Sequence, residues 1–321
     1  MLNRISIVLL LGSLTSMAVA GDTPRLHIVS VGVDTSANEN PDYYVADADA
    51  AAIPLFFRNG TSPSLIGLGT QTILRKGDAT PTLILEKLDV IQKIAGESDV
   101  TIVYFSCHGK ANDIQDDLVL YLSEGTLEGK RLLNGLSEIR GRVILILDTC
   151  RGGSLLPQYR PESDHKEISL LIASQANEDS AGGTPGDGIL HGFFTNAIRE
   201  GVLGAADDPL WSGNGDGTVS LPEVGIYASQ RASSLYRRQT AILCPDVLRE
   251  LPLVRYTKAD RELAAASLEH QFFSPRNKWL EPDVIGANDY RVRKQCCQTL
   301  RTMTMPSHGR RPLLKAQYRN A

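Results

Sequence analysis

Two short stretches hold the residues with chemical reach. One is Asp148-Thr149-Cys150-Arg151-Gly152-Gly153, and the other is Phe105-Ser106-Cys107-His108-Gly109. A thiol is a modest nucleophile at neutral pH because its reference pKa is about 8.5. An imidazole beside it withdraws the proton and later returns one to a leaving amine. Backbone N–H groups at Cys150 and Gly109 are natural donors to an oxyanion developing on a substrate carbonyl. Gly109, Gly152 and Gly153 carry no side chain to obstruct a substrate backbone. Taken alone, Cys150 reads equally as a buried structural cysteine, since free Cys is among the most buried residue types. His108 in a matching position is what turns the reading toward chemistry.

The elements that must deliver these groups are legible as alternating strands and helices. Val143 to Leu147 is an apolar, β-branched run of the kind buried on both faces of a parallel sheet, and it ends abruptly at Asp148. Val100 to Phe105 is a second such run and ends at the histidine stretch. Further strands are predicted at 25–33, 71–74 and 168–174, and a last one at 251–256 that closes the sheet. Helices are predicted at 45–57, 80–95, 130–139 and 191–203, and from the 214–223 loop to about Tyr236. Pro54 is expected to kink or shorten the first of them. Asp47 or Asp49 suits that helix's positive end. Thr80-Pro81 gives an N-cap followed by proline at the first helical position. This alternation predicts an α/β fold, a three-layer sandwich with a mostly parallel sheet of about six strands flanked by helices. If strands 100–105 and 143–148 are neighbours, His108 and Cys150 emerge together at one sheet edge, where open α/β sheets bind ligands.

These residues resemble a known family, the caspase-like cysteine peptidases of family C14, and within it the metacaspase-like branch. Phe105-Ser106-Cys107-His108-Gly109 is similar to a histidine motif that usually reads F-S-G-H-G, and Asp148-Thr149-Cys150 is similar to the cysteine motif. The likeness extends to the Asp-Ala helix at 47–50, to 173–178 and to His191-Gly192-Phe193-Phe194-Thr195. It spans about residues 25–257. The resemblance implies a caspase-like fold and a cysteine endopeptidase acting on a peptide or protein substrate. His108 is the implied general base and acid, Cys150 the nucleophile, and no cofactor is required. It also implies that Asp148 reads a basic P1 side chain, with Glu178 as an auxiliary pocket acid. A carboxylate beside the nucleophile attracts Lys or Arg, and the charge logic agrees. In such enzymes the 154–167 connection is often cut during maturation, so self-cleavage after Arg160 or Lys166 is expected.

Cys107 departs from the family pattern, which has glycine there. Adjacent strand ends lie within disulfide range, so Cys107 is a candidate redox partner that silences Cys150 on oxidation. A small buried residue of no redox consequence is the other reading.

With 42% hydrophobic and 22% charged residues the chain is an ordinary soluble globular protein. Its first twenty residues stand apart: Arg4, an apolar run and Ala18-Val19-Ala20 form a secretory signal peptide, too short to span a bilayer. Export to the periplasm or outside the cell is the expectation, with no membrane span in the mature chain. Five cysteines are too few, and odd in number, for a disulfide framework. Residues 22–257 carry 20 Lys/Arg against 31 Asp/Glu, which argues against a nucleic-acid partner, whereas 258–321 carry 12 against 6 and form a basic extension without sustained periodicity.

Asn214, Asp216 and Glu223 sit at alternate oxygen-donor positions resembling the later part of a calcium-binding loop. Ser212 stands where the first carboxylate belongs. A weak calcium site and an Asx-rich turn capping the next helix are both open, and Asp207 or Asp208 would supply the missing charge. For the whole chain, the rival to a peptidase is a catalytically silent scaffold or binding module of the same fold.

Overall fold

The computed structural model describes residues 23–34, 45–60, 65–112, 114–161, 163–165, 168–183, 191–244 and 251–255. The expected signal peptide, the basic extension and Lys166 lie outside them.

The chain opens with β1 (Arg25–Gly32), α1 (Ala46–Gly60), β2 (Gly67–Arg75), α2 (Pro81–Ile94) and β3 (Val100–Ser106). Three short strands, β4 (Gly109–Asn112), β5 (Asp117–Tyr121) and β6 (Thr126–Glu128), form a small antiparallel sheet. Then come α3 (Gly129–Ser137), β7 (Arg142–Asp148), β8 (Ile168–Ile172), and the two-residue pair β9 (Gly182–Gly183) and β10 (His191–Gly192). Finally come α4 (Phe193–Val202), β11 (Thr218–Ser220), α5 (Leu221–Leu235), β12 (Ile242–Cys244) and β13 (Pro252–Arg255).

Six strands make the central sheet in the order β12-β8-β7-β3-β1-β2. Five of them run parallel, and β12 runs antiparallel to β8 at one edge. The alternation of each strand splits the core in two. Leu26, Ile28, Ile102, Tyr104, Ile144 and Ile146 pack with residues of α1, α4 and α5, while Val29, Val31, Val103, Phe105, Leu145 and Leu147 pack with residues of α2 and α3. Helices on both faces make three layers, which is why β3 and β7 read as unbroken apolar runs.

Several boundaries differ from the sequence reading. α1 continues through Pro54 to Gly60 instead of stopping near it; burial of Ile53 and Phe57 outweighs the missing N–H. Its N-terminal amides at Ala46 and Asp47 donate to Asp34, at 2.6 and 3.2 Å, so the capping carboxylate comes from the end of β1. β2 is longer than expected because it pairs with β1 along its length. The expected closing strand at 251–256 instead pairs, as β13, with β11 in a separate ribbon, and β12 closes the sheet. α2 follows expectation, with Thr80 Oγ1 accepting from the Leu83 amide at 3.2 Å.

Candidate active site

β3 and β7 are parallel neighbours with Ser106 opposite Asp148, so the residues that follow each strand leave the sheet side by side. Cys107, His108, Thr149 and Cys150 line one cleft of about 220 Å³, together with Asp34, Asp148, Ser180 and Gly192. The predicted pairing of His108 and Cys150 at one edge is thus the arrangement found. His108 is exposed at the rim, in electrostatic reach of Asp34.

Packing of the glycines is tighter than the sequence suggested. A Cβ on Gly109 would run into the Cys150 carbonyl and Thr149 Oγ1, so this glycine lets the two strand ends touch. Gly152 and Gly153 face inward: a Cβ would lie 2.5 Å from Ile172 and 2.6 Å from the Ala176 amide, respectively. They are required by the turn's own packing.

Arg151 takes the left-handed conformation, φ 59°, which turns the chain sharply after Cys150. Its amide donates to the Glu178 carbonyl at 2.8 Å, and its guanidinium lies 3.5 Å from Asp179. The Glu178 carboxylate accepts from the Thr240 amide at 2.7 Å, from Thr240 Oγ1 at 3.0 Å and from the Gln175 amide at 3.3 Å. Glu178 therefore braces the turn after Cys150 from behind and is not among the residues that line the cleft. The sequence reading placed it in the pocket because its register after β8 was open.

Asp148 does reach the cleft, where it is 6% exposed. It accepts from Ser180 Oγ, from the Thr195 amide at 3.1 Å and from Thr195 Oγ1 at 2.6 Å. Burial nevertheless holds its carboxyl above the ordinary range. A second carboxylate, Asp49, lies close behind. It bonds His191 Nδ1 at 2.5 Å and accepts from the Gly192 amide at 2.9 Å. Burial is the main cause that pushes Asp49 up to about 7, with Asp148 adding to it. Sequence reasoning singled out neither Asp49 nor His191 for the site, although both fall in segments it quoted. Ser180 carried no signal at all, being one serine in a polar loop.

The two thiols differ. Cys150 is half-buried, and its Sγ donates to the Ser180 carbonyl at 3.7 Å. Desolvation raises it above the ordinary thiol range, and the nearby Asp179 and Asp148 act in the same direction. Cys107 is buried in the α2/α3 core at the foot of the cleft, and burial pushes its thiol up to about 12.

No family model matches the chain, and no curated protein does. Among solved structures, the crystal structure of protein GSU0716 from Geobacter sulfurreducens is similar at 18% identity and a TM-score of 0.49. The match covers 73% of this chain and 99% of that one. A likeness at that level carries no argument about chemistry.

The calcium-like loop is folded around its own hydrogen bonds. Glu223 accepts from the Asn214 amide at 3.0 Å and the Ser220 amide at 2.8 Å, and with Ser220 it forms a capping box for α5. Asp216 bonds Asn214 Nδ2 and the Thr218 amide, and Asp207 accepts from the Gly217 amide at 3.1 Å. Among the described residues, no three His, Cys, Asp or Glu side chains converge as metal ligands. No helix among them is long and apolar enough to cross a membrane.

Arg160 lies in a compact turn. Its amide donates to His165 Nδ1 at 2.8 Å, and its carbonyl accepts from the His165 amide. A peptide bond so folded is not presented in the extended form a peptidase cleft takes, so cleavage after Arg160 requires this turn to open.

Proposed function

We propose that the protein is a cysteine endopeptidase of the caspase-like, metacaspase-like kind, cleaving after Arg or Lys. The observation that carries this reading is that Cys150 and His108, at the ends of adjacent parallel strands, line one cleft with a buried carboxylate, Asp148. In the proposed reaction His108 takes the Cys150 proton as the thiolate attacks the scissile carbonyl. It then gives that proton to the leaving amine. Amides of Cys150 and Gly109 face the developing oxyanion. The P1 cation enters beside Asp148, a desolvated carboxylate that Ser180 and Thr195 hold by hydrogen bonds and that favours a guanidinium or ammonium.

A silent scaffold is the second reading, and one observation favours it: the Cys150 thiol donates to a backbone carbonyl, and burial disfavours its thiolate. Hydrolysis of Arg-, Lys- and Asp-P1 fluorogenic peptides separates the two. Peptidase action predicts turnover of the basic substrates that falls more than about a hundredfold in Cys150→Ala and in His108→Ala. Wild-type hydrolysis no faster than that of Cys150→Ala would favour the scaffold. Cleavage after Asp would overturn the role given to Asp148.

A further inference from the structure

Asp34, His108 and Cys150 hold the same place on three neighbouring strands. Gly32 of β1 stands opposite Ser106 of β3, and Ser106 stands opposite Asp148 of β7. Each of the three residues follows that matched row by two positions, in the order acid, imidazole, thiol. The ladder runs one residue past β1, where the Val33 amide donates to the Ser106 carbonyl at 3.0 Å. All three residues line the cleft.

The backbones that carry them are fixed. The His108 carbonyl accepts from the Tyr121 amide at 2.9 Å, and Gly109 seats the end of β3 against Thr149 and Cys150. On the other side a Cβ on Gly32 would run into the Ala46 carbonyl, so the first turn of α1 sits directly on the end of β1. That turn holds Asp34: Oδ1 accepts the Ala46 amide at 2.6 Å and Oδ2 the Asp47 amide at 3.2 Å.

Val45 and Ala46 place the start of α1 in the cleft lining. This is the positive end of the helix dipole, which alone would oppose a positive charge on the imidazole of His108. Asp34 sits on that end and reverses the sign. Burial raises its carboxyl above the ordinary range and the charge of Asp47 adds to the rise, whereas the two α1 amides and a charge on His108 act against it. Asp47 is itself paired with Arg75 at 3.4 Å.

We infer that Asp34 is a positioning residue for His108, its carboxylate stabilising the imidazolium that exists between attack by the thiolate and protonation of the leaving amine. The inference rests on the proposed dyad and adds a third group to it. Asp34 acts through charge on His108 and leaves the P1 side chain to Asp148, so its removal slows turnover without weakening substrate binding.

Asp34→Asn removes the charge and keeps an acceptor for an α1 amide, since Asn and Asp cap helices equally well. With an Arg-P1 peptide, kcat is expected to fall about three- to thirtyfold, the worth of one charge a few ångströms away in a half-buried site, while KM changes less than about twofold. In a His108→Ala background the same substitution is expected to alter the residual rate less than about twofold, because the charge has lost the group it acts on. A merely structural role would slow both backgrounds alike and lower the urea midpoint. Carboxyl carbon NMR of Asp34 needs no turnover and no Asn variant. His108→Ala is expected to raise the titration midpoint of Asp34, because loss of a nearby cation disfavours the carboxylate. An unmoved midpoint, an Asp34 still protonated at pH ~7.5, or an Asn variant with wild-type kcat overturns the inference and leaves the dyad standing. Wild-type hydrolysis no faster than that of Cys150→Ala removes the dyad, and the role of Asp34 with it.

Discussion

Asp49 and Asp148 face each other across the α-carbon of Gly192. A Cβ placed there would run into Asp148 Oδ2 and lie 3.2 Å from Asp49 Oδ2. Gly192 also donates its amide to Asp49 at 2.9 Å. Two buried carboxylates are thus kept apart by the smallest spacer the chain has, with His191 bonded to one and Thr195 to the other.

Gly192→Ala should force one carboxylate to move. The expected cost is about 1–3 kcal/mol of folding stability, the usual range for overpacking a filled site. It should be read by urea denaturation at neutral pH. Because the displaced group is Asp148, the KM for an Arg-P1 peptide should rise more than kcat falls. A variant with wild-type stability and wild-type KM would show that the spacer role is not needed.

Acid and base should act on the fold through its buried carboxylates. Burial raises Asp208 to about 6, with the Asp207 charge adding to it. Its native form therefore holds a proton that the unfolded chain, at about 3.9, has already released. Stability from this group is complete below pH ~4 and is lost as pH rises through about 6. Asp49, raised to about 7, acts with the same sign. Asp208→Asn keeps an acceptor for the Leu210 amide, which Asp208 holds at 2.9 Å. It should stabilise the protein at pH 7.5 by about 1–3 kcal/mol and flatten part of the decline between pH 5 and 7.5. Urea midpoints in chelator-containing buffer measure this without a cation at the neighbouring loop. An unchanged slope would place the titration elsewhere.

Cys107 and Cys150 line the same cleft one and two residues past a matched pair of strand positions. Oxidation should join them and silence the site. Burial keeps Cys107 as a thiol at neutral pH, so closure should be slow and should quicken as pH rises. The measurement is peptidase activity with and without reductant, in wild type and in Cys107→Gly. Reductant is expected to restore activity in the wild type alone; equal activity in all four samples excludes the switch.

Much of the frame was legible before any coordinates. β3 and β7 are apolar on both faces, and that composition alone implies a covered parallel sheet; their shared register then sets His108 beside Cys150. Thr80-Pro81 announced α2 because capping chemistry is local. What escaped was set by distant contacts. Nothing near Ser180 in the chain indicates that it lies between residues 148 and 150, and nothing near Asp49 indicates His191, 142 positions later. Glu178 read as a pocket acid because it follows a strand on the right side of the sheet, but Thr240, which holds it, comes from another part of the chain. The role of β13 was misread for the same reason: strand character is local, and the choice of partner is not.

The close approach of Gly109 to the Cys150 carbonyl and Thr149 has a consequence for how this cleft can evolve. The His108 and Cys150 walls are cast as one piece, because no room exists between them for even a methyl group. The opposite wall is a loop pinned at Ser174, Glu178 and Ala181, with Asp179 and Ser180 between the last two pins. The cleft is a vice with one fixed jaw. Changes in ligand preference should therefore arise by substitution in the moving jaw, while the fixed one tolerates neither insertion nor a larger side chain.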